Sequence, residues 1–141
     1  MSITRPRVYI DENLPHQIAG SLARAFRSAI FSSHKDEKLT GVLDLPLFEQ
    51  LQDREFDAII TRDIAQSITT TERDGLRAAG LHWVGVREPK SAAGLAFHGA
   101  ILSSVAATIP TLLAGFASTP RAYFVECEHL KWQQPIRVEP L

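Results

Sequence analysis

The chain has 141 residues but a single cysteine, Cys127, and this scarcity excludes a framework of intrachain disulfide bonds. One thiol in a chain of this length is typical of a reducing compartment, and we expect Cys127 to be a small apolar residue of a strand. The chain also lacks an excess of either charge, since its formal net charge is -1. A polyanionic partner therefore requires a local basic patch.

Strongly apolar runs are scarce as well. At the N-terminus, charged residues and a proline interrupt the stretch MSITRPRVYIDEN, which excludes the hydrophobic segment of a signal peptide. The most apolar stretch, residues 91–116, is diluted by small and hydroxyl residues and contains His98 and Pro110. It falls short of the roughly 20 strongly apolar residues that span a membrane. We expect a buried helix of a cytoplasmic protein with no membrane association.

Strand-length apolar runs alternate along the chain with helical patterns. Strands are predicted at 7–10, 28–33, 57–63, 81–88 and 122–127, with a short terminal strand at 136–139. Helices are predicted at 14–26, 44–56, 71–80 and 91–108. This alternation predicts βαβ crossovers. The fold expected is a single three-layer α/β/α domain over residues 1–141, with a mostly parallel central sheet of about five strands.

The predicted helices carry signals at their ends. Asp44 and Thr71 stand at the N-cap positions of the second and third helices, and Gly80 stands at the C′ position of the third. Pro110 is expected to kink the last helix or to restart it. That helix is nearly devoid of charge between 91 and 108. We therefore expect one part of this helix, or of the following residues 111–116 (TLLAGF), to be buried in the core. Another part should be available to a homodimer.

Acidic residues follow two of the predicted strands. Asp11 ends the first strand and Asp63 ends the third, while Asp44 opens the helix that leads into the third strand. Ligands of open parallel sheets bind at the carboxyl ends of the strands, so these acids converge if the two strands are neighbours. Three clustered carboxylates repel one another unless a cation neutralises them, and oxygen ligands favour Mg²⁺ or Mn²⁺. The five histidines and Cys127 show no zinc-ligand spacing.

Each acid also has an ordinary structural explanation, because Asp44 suits an N-cap and Asp11 and Asp63 suit turns at strand ends. Their joint occurrence at the ends of alternate elements favours a site. Asp36 and Glu37, in the loop SSHKDEK, are alternatives to Asp44 as the third acid of the cluster with Asp11 and Asp63.

The order of three features resembles the PIN-like nucleases: YIDENLPHQIAGSL, an aspartate that opens a helix, and DAIITRD. The closest subset comprises small prokaryotic proteins with a DENLP start and a TRD or TND strand end, similar to VapC-type toxins. The resemblance covers roughly residues 7–88. It implies a PIN-like domain with Mg²⁺- or Mn²⁺-dependent ribonuclease activity. It further implies the toxin component of a type II toxin–antitoxin system, with RNA as substrate and a cognate antitoxin protein as partner.

Matched by position, the resemblance implies that Asp11, Asp44 and Asp63 bind the metal ion. Thr61 matches the hydroxyl residue of the strand end, which positions a metal-bound water or a neighbouring carboxylate. Glu12 and Asn13 lie close enough in the sequence to contact the metal ligands and support them without binding the ion. Because RNA is repelled by an acidic pocket, flanking cations should offset the repulsion.

Arg62 is the first choice for such a substrate-binding cation, because it stands beside the acids in the sequence. Lys35 and Lys38, on the loop after the second strand, and Arg87, at the end of the fourth, come next.

The sequence departs from the PIN-like pattern after Asp63. Many relatives place another aspartate two residues further on, followed by phenylalanine, whereas this chain has Ile64 and Ala65. The fourth acid is therefore missing or is supplied from elsewhere, with Glu12, Glu72 and Asp74 as candidates. Whether one metal ion binds or two stays open at this point.

Two alternatives follow from the same residues. The first is a PIN-like binding module that has lost its chemistry, which the missing aspartate favours. The second is a phospho-acceptor receiver domain, with Asp63 as the acceptor, but the Lys-Pro expected after the fifth strand is absent from AYFVECEHLKWQQP. A haloacid-dehalogenase arrangement needs a second aspartate where Asn13 stands.

Overall fold

Residues 5–88, 94–117, 119–127 and 137–140 are described by the computed structural model of the protein. Its strands are β1 (Arg7–Ile10), β2 (Ile30–Ser33), β3 (Ala58–Thr61), β4 (His82–Arg87) and β5 (Ala122–Glu126). Its helices are α1 (Ile18–Ala25), α2 (His34–Glu37), α3 (Asp44–Asp53), α4 (Ala65–Ile68), α5 (Thr70–Ala78) and α6 (Gly94–Ala114).

The five strands form one sheet in the order β2-β1-β3-β4-β5, and every neighbouring pair is parallel. The prediction of an α/β domain with a parallel sheet of about five strands is confirmed. From β1 the chain moves outward to β2, then returns to place β3 on the other side of β1. The strand order therefore reverses between β1 and β3, and such a switch point is where doubly wound sheets bind ligands.

Helices cover both faces of the sheet. Alternate side chains of a strand point to opposite faces, so Val8 and Ile10 share one hydrophobic cluster with residues of α1 and α6. Tyr9, between them, belongs to the opposite cluster, which α3 and α5 complete. The three-layer α/β/α arrangement is thereby confirmed. Because all five strands are parallel, their carboxyl ends lie at one edge of the sheet.

Several predicted helix ends lie elsewhere in the structure. The N-cap of α3 is Leu43, so Asp44 is the first helical residue and caps nothing. Helix α5 begins at Thr70 with Thr69 as its N-cap, which makes the prediction of Thr71 as cap wrong. Gly80 does follow the C-cap of α5, at φ +70°, as predicted. This left-handed conformation suits glycine because no Cβ clashes there.

Helix α6 continues through Pro110 to Ala114, so the predicted restart was wrong. The part of the prediction at 91–93 lies outside the described residues. The proline removes one backbone hydrogen bond, while Ile109 and Leu112 on either side of it are fully buried and hold the helix against the sheet. By length and composition alone α6 is apolar enough to cross a membrane. In the structure it contributes to the core of the domain, as predicted.

The predicted terminal strand at 136–139 is not formed by its described residues, 137–139, and residue 136 lies outside the described part of the chain. Val138 is 83% exposed, so it lacks the burial that stabilises a strand within a sheet.

His82, in β4, makes stability depend on pH. The side chain is buried, and its Nδ1 accepts a hydrogen bond from the Arg121 backbone. Burial lowers the pKa of His82; nearby Arg121 lowers it further, whereas a backbone bond at Phe116 and the charge of Asp57 oppose the shift. The unfolded chain thus binds the proton more readily, and the free energy of unfolding should fall as pH drops below about 6.5.

Urea unfolding at pH 7.5, 6.5 and 5.5 measures this effect, with His82→Gln as the control because glutamine retains an acceptor for Arg121. We expect the variant to lose less stability than the wild type across this range. Equal losses in both proteins would assign the pH dependence to other groups.

Candidate functional site

The candidate site lies at the switch point, where β1 and β3 end side by side. Strand β1 pairs with β3, so the neighbour relationship on which the site prediction depended is confirmed. The Asp11 backbone N–H donates to the Ile60 carbonyl at 3.0 Å, and the Thr61 hydroxyl donates to Asp11 Oδ2 at 2.8 Å. Asp11 is 6% exposed and Thr61 is fully buried. The carboxylate of Asp11 is therefore fixed in place by both strand ends.

Asp44 joins Asp11 through one amide group. Gln66 Nε2 donates to Asp44 Oδ1 at 2.9 Å and lies 3.4 Å from Asp11 Oδ2. The two carboxylate oxygens are thus no farther apart than these two distances together. Asp44 reaches this point because α3 starts at the same edge of the sheet, directly before β3 in the chain. The structure brings together two of the three predicted metal ligands.

Trp83 determines which way the Gln66 amide points. The Trp83 indole Nε1–H, a donor only, lies 3.3 Å from Gln66 Oε1. The carbonyl oxygen must therefore face Trp83, which leaves the NH₂ group directed at the acids. Gln66 and Trp83 are both 1% exposed, so neither can exchange this partner for water without rearrangement.

Burial and like charge act together on the two acids. Burial raises the pKa of Asp11, and hydrogen bonds from Thr61, the Glu12 backbone and Gln66 counteract part of the shift. Burial also raises the pKa of Asp44, with the bond from Gln66 opposing it. The carboxylates of Asp63, Asp11 and Glu72 add to the rise at Asp44. Both acids therefore hold their charge less readily than in water, which a positive ligand would relieve.

Asp63 lies beside this pair but uses its carboxylate locally. Its Oδ1 accepts the Ala65 backbone N–H at 3.1 Å, and its own backbone N–H donates to the Thr61 hydroxyl at 3.0 Å. Asp63 also lines an open cavity of about 450 Å³ with Asn13, Arg62, Ile64, Arg87 and Glu88. Within the described residues, no three or more His, Cys, Asp or Glu side chains are arranged to hold a metal ion. The ligand set of Asp11, Asp44 and Asp63 therefore stays a prediction.

The two residues after Asp11 link the carboxyl end of β1 to the loop before α3 and to the end of β3. Glu12 Oε2 accepts the Gly41 backbone N–H at 2.9 Å, which ties the loop before α3 to β1. Asn13 Nδ2 donates to the Thr61 hydroxyl at 3.0 Å, and its Oδ1 accepts the Arg62 backbone N–H at 3.0 Å. The DEN motif thus supplies one site acid and two side chains that hold the loops around it.

Arg62, the first choice for a substrate-binding cation, is heavily engaged. Its guanidinium donates to the Asn13 carbonyl at 3.0 Å, pairs with Glu88 and lies 5.0 Å from the centre of the Phe97 ring. Lys35 and Lys38 are exposed on and after α2, at the same edge of the sheet. Arg87 ends β4 at this edge, 4.0 Å from Glu126. The two lysines are exposed cations at this edge, whereas Arg62 and Arg87 line the same cavity as Asp63.

The acids that competed with Asp44 have other roles. The Asp36 carboxylate accepts the Ser33 backbone N–H at 2.9 Å in a capping box, and these bonds to Ser33 lower its pKa. Glu37 accepts the Ser32 hydroxyl at 2.9 Å and forms ion pairs with Arg7 and Arg54. Neither is available to the site in this arrangement.

Among the candidates for the fourth acid, Glu72 is the one whose charge acts on Asp44. The Glu12 carboxylate accepts a hydrogen bond from the Gly41 backbone, and Asp74 forms an exposed ion pair with Arg77. Glu72, in the first turn of α5, lies near enough to raise the pKa of Asp44. Its Oε2 is buried and makes no hydrogen bond within the described part of the chain. A buried carboxylate oxygen without a partner is costly, so this atom marks a place for a proton or a cation.

The arrangement fits a hard divalent cation in its donor chemistry. Asp11 and Asp44 converge on one point, and Glu72 adds an unpaired oxygen nearby. Mg²⁺ commonly binds through one or two carboxylates and keeps several waters, so a complete protein cage is not required. The point of convergence is, however, the position of Gln66 Nε2.

Sequence reasoning missed Gln66 and Trp83. A signal for both existed in the sequence: a tryptophan within a strand that is buried on both faces requires an acceptor for its indole N–H. Gln66, three residues after Asp63, is a polar residue able to provide one.

Fold and site together define the class of molecule: a doubly wound, fully parallel α/β domain with paired acids at its switch point. Comparisons of the chain with protein-family models, with curated proteins and with solved structures gave no significant match.

Proposed function

We propose that the protein is a Mg²⁺- or Mn²⁺-dependent endoribonuclease with a PIN-like domain. The observation that supports this most directly is the convergence of Asp11 and Asp44 on one point at the switch point of a parallel sheet. A buried Asp11 and a half-buried Asp44 brought this close serve no obvious purpose in packing, because loss of contact with solvent raises the pKa of both. Perturbed acids in such a position are characteristic of functional sites.

In this proposal Asp11 and Asp44 hold the ion, and Glu72 or Asp63 completes the set. When bound, the ion would polarise the scissile phosphodiester and supply an activated water. Thr61 fixes Asp11 through the bond to Oδ2, so the carboxylate needs no reorganisation. Lys35 and Lys38, with Arg62 and Arg87 at the same edge, attract the RNA backbone and offset its repulsion by the acids.

The biological role that we propose is the toxin of a type II toxin–antitoxin system, acting in the cytoplasm and held inactive by a cognate antitoxin protein. The basis is the resemblance of IDENLP and ITRD to the PIN-like subset. A homodimer is proposed on the nearly uncharged α6, whose outward residues Ser103, Ala107 and Thr111 are small. Light scattering at micromolar concentration tests the dimer, and a purely monomeric protein contradicts it.

A second candidate function is favoured by Gln66. Because its amide already satisfies both acids, the same residues also suit a PIN-like fold that binds a partner protein and holds no metal. This candidate predicts Mn²⁺ binding no tighter than that of ordinary surface acids.

The deciding experiment is cleavage of a structured RNA by the purified protein with Mg²⁺, with Mn²⁺ and with a chelator. We expect cleavage with either ion and none with the chelator. A wild-type protein that is folded and shows no cleavage with either ion, while binding a partner protein tightly, would favour the binding module.

A further inference from the structure

Gln66 occupies a central position that the resemblance to nucleases leaves unexplained. Its Nε2 lies 2.9 Å from one acid and 3.4 Å from the other, at the point where a shared cation would lie. The side chain is 1% exposed, and its other end is held by the Trp83 indole. One neutral amide therefore donates to two carboxylates, of which Asp11 is buried and Asp44 is half-buried.

We propose that Gln66 controls cation access to the site: its carboxamide holds Asp11 and Asp44 together without metal and must rotate away before a divalent cation binds to both. This inference rests on the proposed metal-dependent function and deepens it. It assigns a metal-regulating role to a residue that contributes no ligand in the present arrangement.

Rotating the amide costs free energy, and this cost lowers the apparent affinity for the cation. When the amide leaves, Gln66 loses its bonds to Asp11 and Asp44, and Trp83 Nε1–H is left buried without its acceptor. Buried donors without partners are costly, so the apparent affinity for a cation is reduced by the penalty of rotation. The amide thus sets a threshold concentration below which the acids stay paired through Gln66.

Two replacements of Gln66 separate its effects. Gln66→Glu keeps an acceptor for Trp83, has nearly the same shape and turns the group between the acids into a further oxygen ligand. More carboxylate ligands strengthen the binding of hard cations, so the Kd for Mn²⁺ should fall by about tenfold or more. Gln66→Met keeps the length, and removes the donor without adding a ligand. Its Kd should fall by about threefold, because no amide has to be displaced.

The measurement is titration of the full chain with Mn²⁺ alone, without RNA, by calorimetry and by the shift in melting temperature. Gln52→Glu is the matched control, since Gln52 is exposed on α3 and the change adds the same charge away from the site. Combining Gln66→Glu with Asp44→Asn should remove most of the gain in affinity. If Gln66→Glu does not fold without metal, the comparison of Gln66→Met with the wild type decides alone.

The outcomes distinguish this inference from the proposed function. Tighter Mn²⁺ binding in both Gln66 variants that depends on Asp44 supports the inference. Unchanged Kd values in both variants overturn it, while a wild type that binds Mn²⁺ keeps the metal-dependent function. Binding by Gln66→Glu through Asp44, with none by the wild type or by Gln66→Met, contradicts both, because the added carboxylate then creates the site. No binding by any variant overturns both.

Discussion

Replacing Asp44 by asparagine should reduce RNA cleavage by more than about 100-fold without destabilising the protein. Mutating a residue that only hydrogen-bonds to a metal ligand already lowers metal affinity or activity by roughly 10- to 100-fold, and Asp44 is proposed as a ligand itself. Asparagine keeps the oxygen that accepts from Gln66 Nε2, so the local hydrogen bond survives. What disappears is a negative charge that a cation requires and that burial disfavours. The melting temperature should therefore be equal to or higher than that of the wild type.

The pH dependence follows from the raised pKa of Asp44. A group whose pKa is raised by folding contributes stability that is fully present below its unfolded value, about 3.8, and lost as pH rises through the folded value. At neutral pH the charged Asp44 thus lowers the free energy of unfolding. The advantage of Asp44→Asn should be largest at neutral pH and shrink as pH falls toward 4. Thermal unfolding at pH 7 and pH 4 measures it.

Asp53→Asn provides the matched control, because Asp53 is exposed at the other end of the same helix. It should change neither activity nor melting temperature. Asp63→Asn keeps the acceptor for the Ala65 backbone, and it should also lose activity while remaining folded if Asp63 completes the ligand set. Variants that lose stability but retain activity per folded molecule would make these acids structural.

Gly85→Ala should destabilise the fold by about 3 kcal/mol, at the upper end of overpacking effects. Gly85 and Trp83 lie on the same face of β4, two residues apart, and the indole covers the glycine. An added Cβ would lie 1.9 Å from Trp83 Cη2 and 2.5 Å from two further ring carbons. Because Trp83 is 1% exposed and packs edge-on against Phe124 at 5.1 Å, the ring cannot shift without disturbing this contact.

The effect of Gly85→Ala should extend to the site. Displacing the indole moves the donor that orients Gln66, so the contact between the amide and the two acids weakens. Chemical denaturation gives the stability loss. Gly20→Ala is the control: Gly20 is exposed in α1 with nothing within 4 Å of an added Cβ, and alanine there should stabilise by about 0.5–1 kcal/mol. A fully stable Gly85→Ala protein would contradict the packing described for Trp83.

Prediction from sequence was strongest where local pattern determines structure. The alternation of strand and helix patterns determined an α/β domain, and β1 and β3 ended where the polar residues began. Helix ends were less well predicted, because capping at α3 and α5 depends on backbone geometry that several nearby polar residues could satisfy. The helix does not restart at Pro110, because burial of its neighbours outweighs the loss of one hydrogen bond.

For the site, the sequence by itself determined that Asp11 and Asp63 stand at the ends of two strands and that Asp44 opens a helix leading into the second of them. Only the tertiary structure decided that Asp11, Asp44, Gln66 and Trp83 meet. Gln66 is 55 residues from Asp11, 22 from Asp44 and 17 from Trp83 along the chain. Hydrophobic periodicity reports which face of an element is buried but carries no information on strand order, and strand order brings these four side chains to one point.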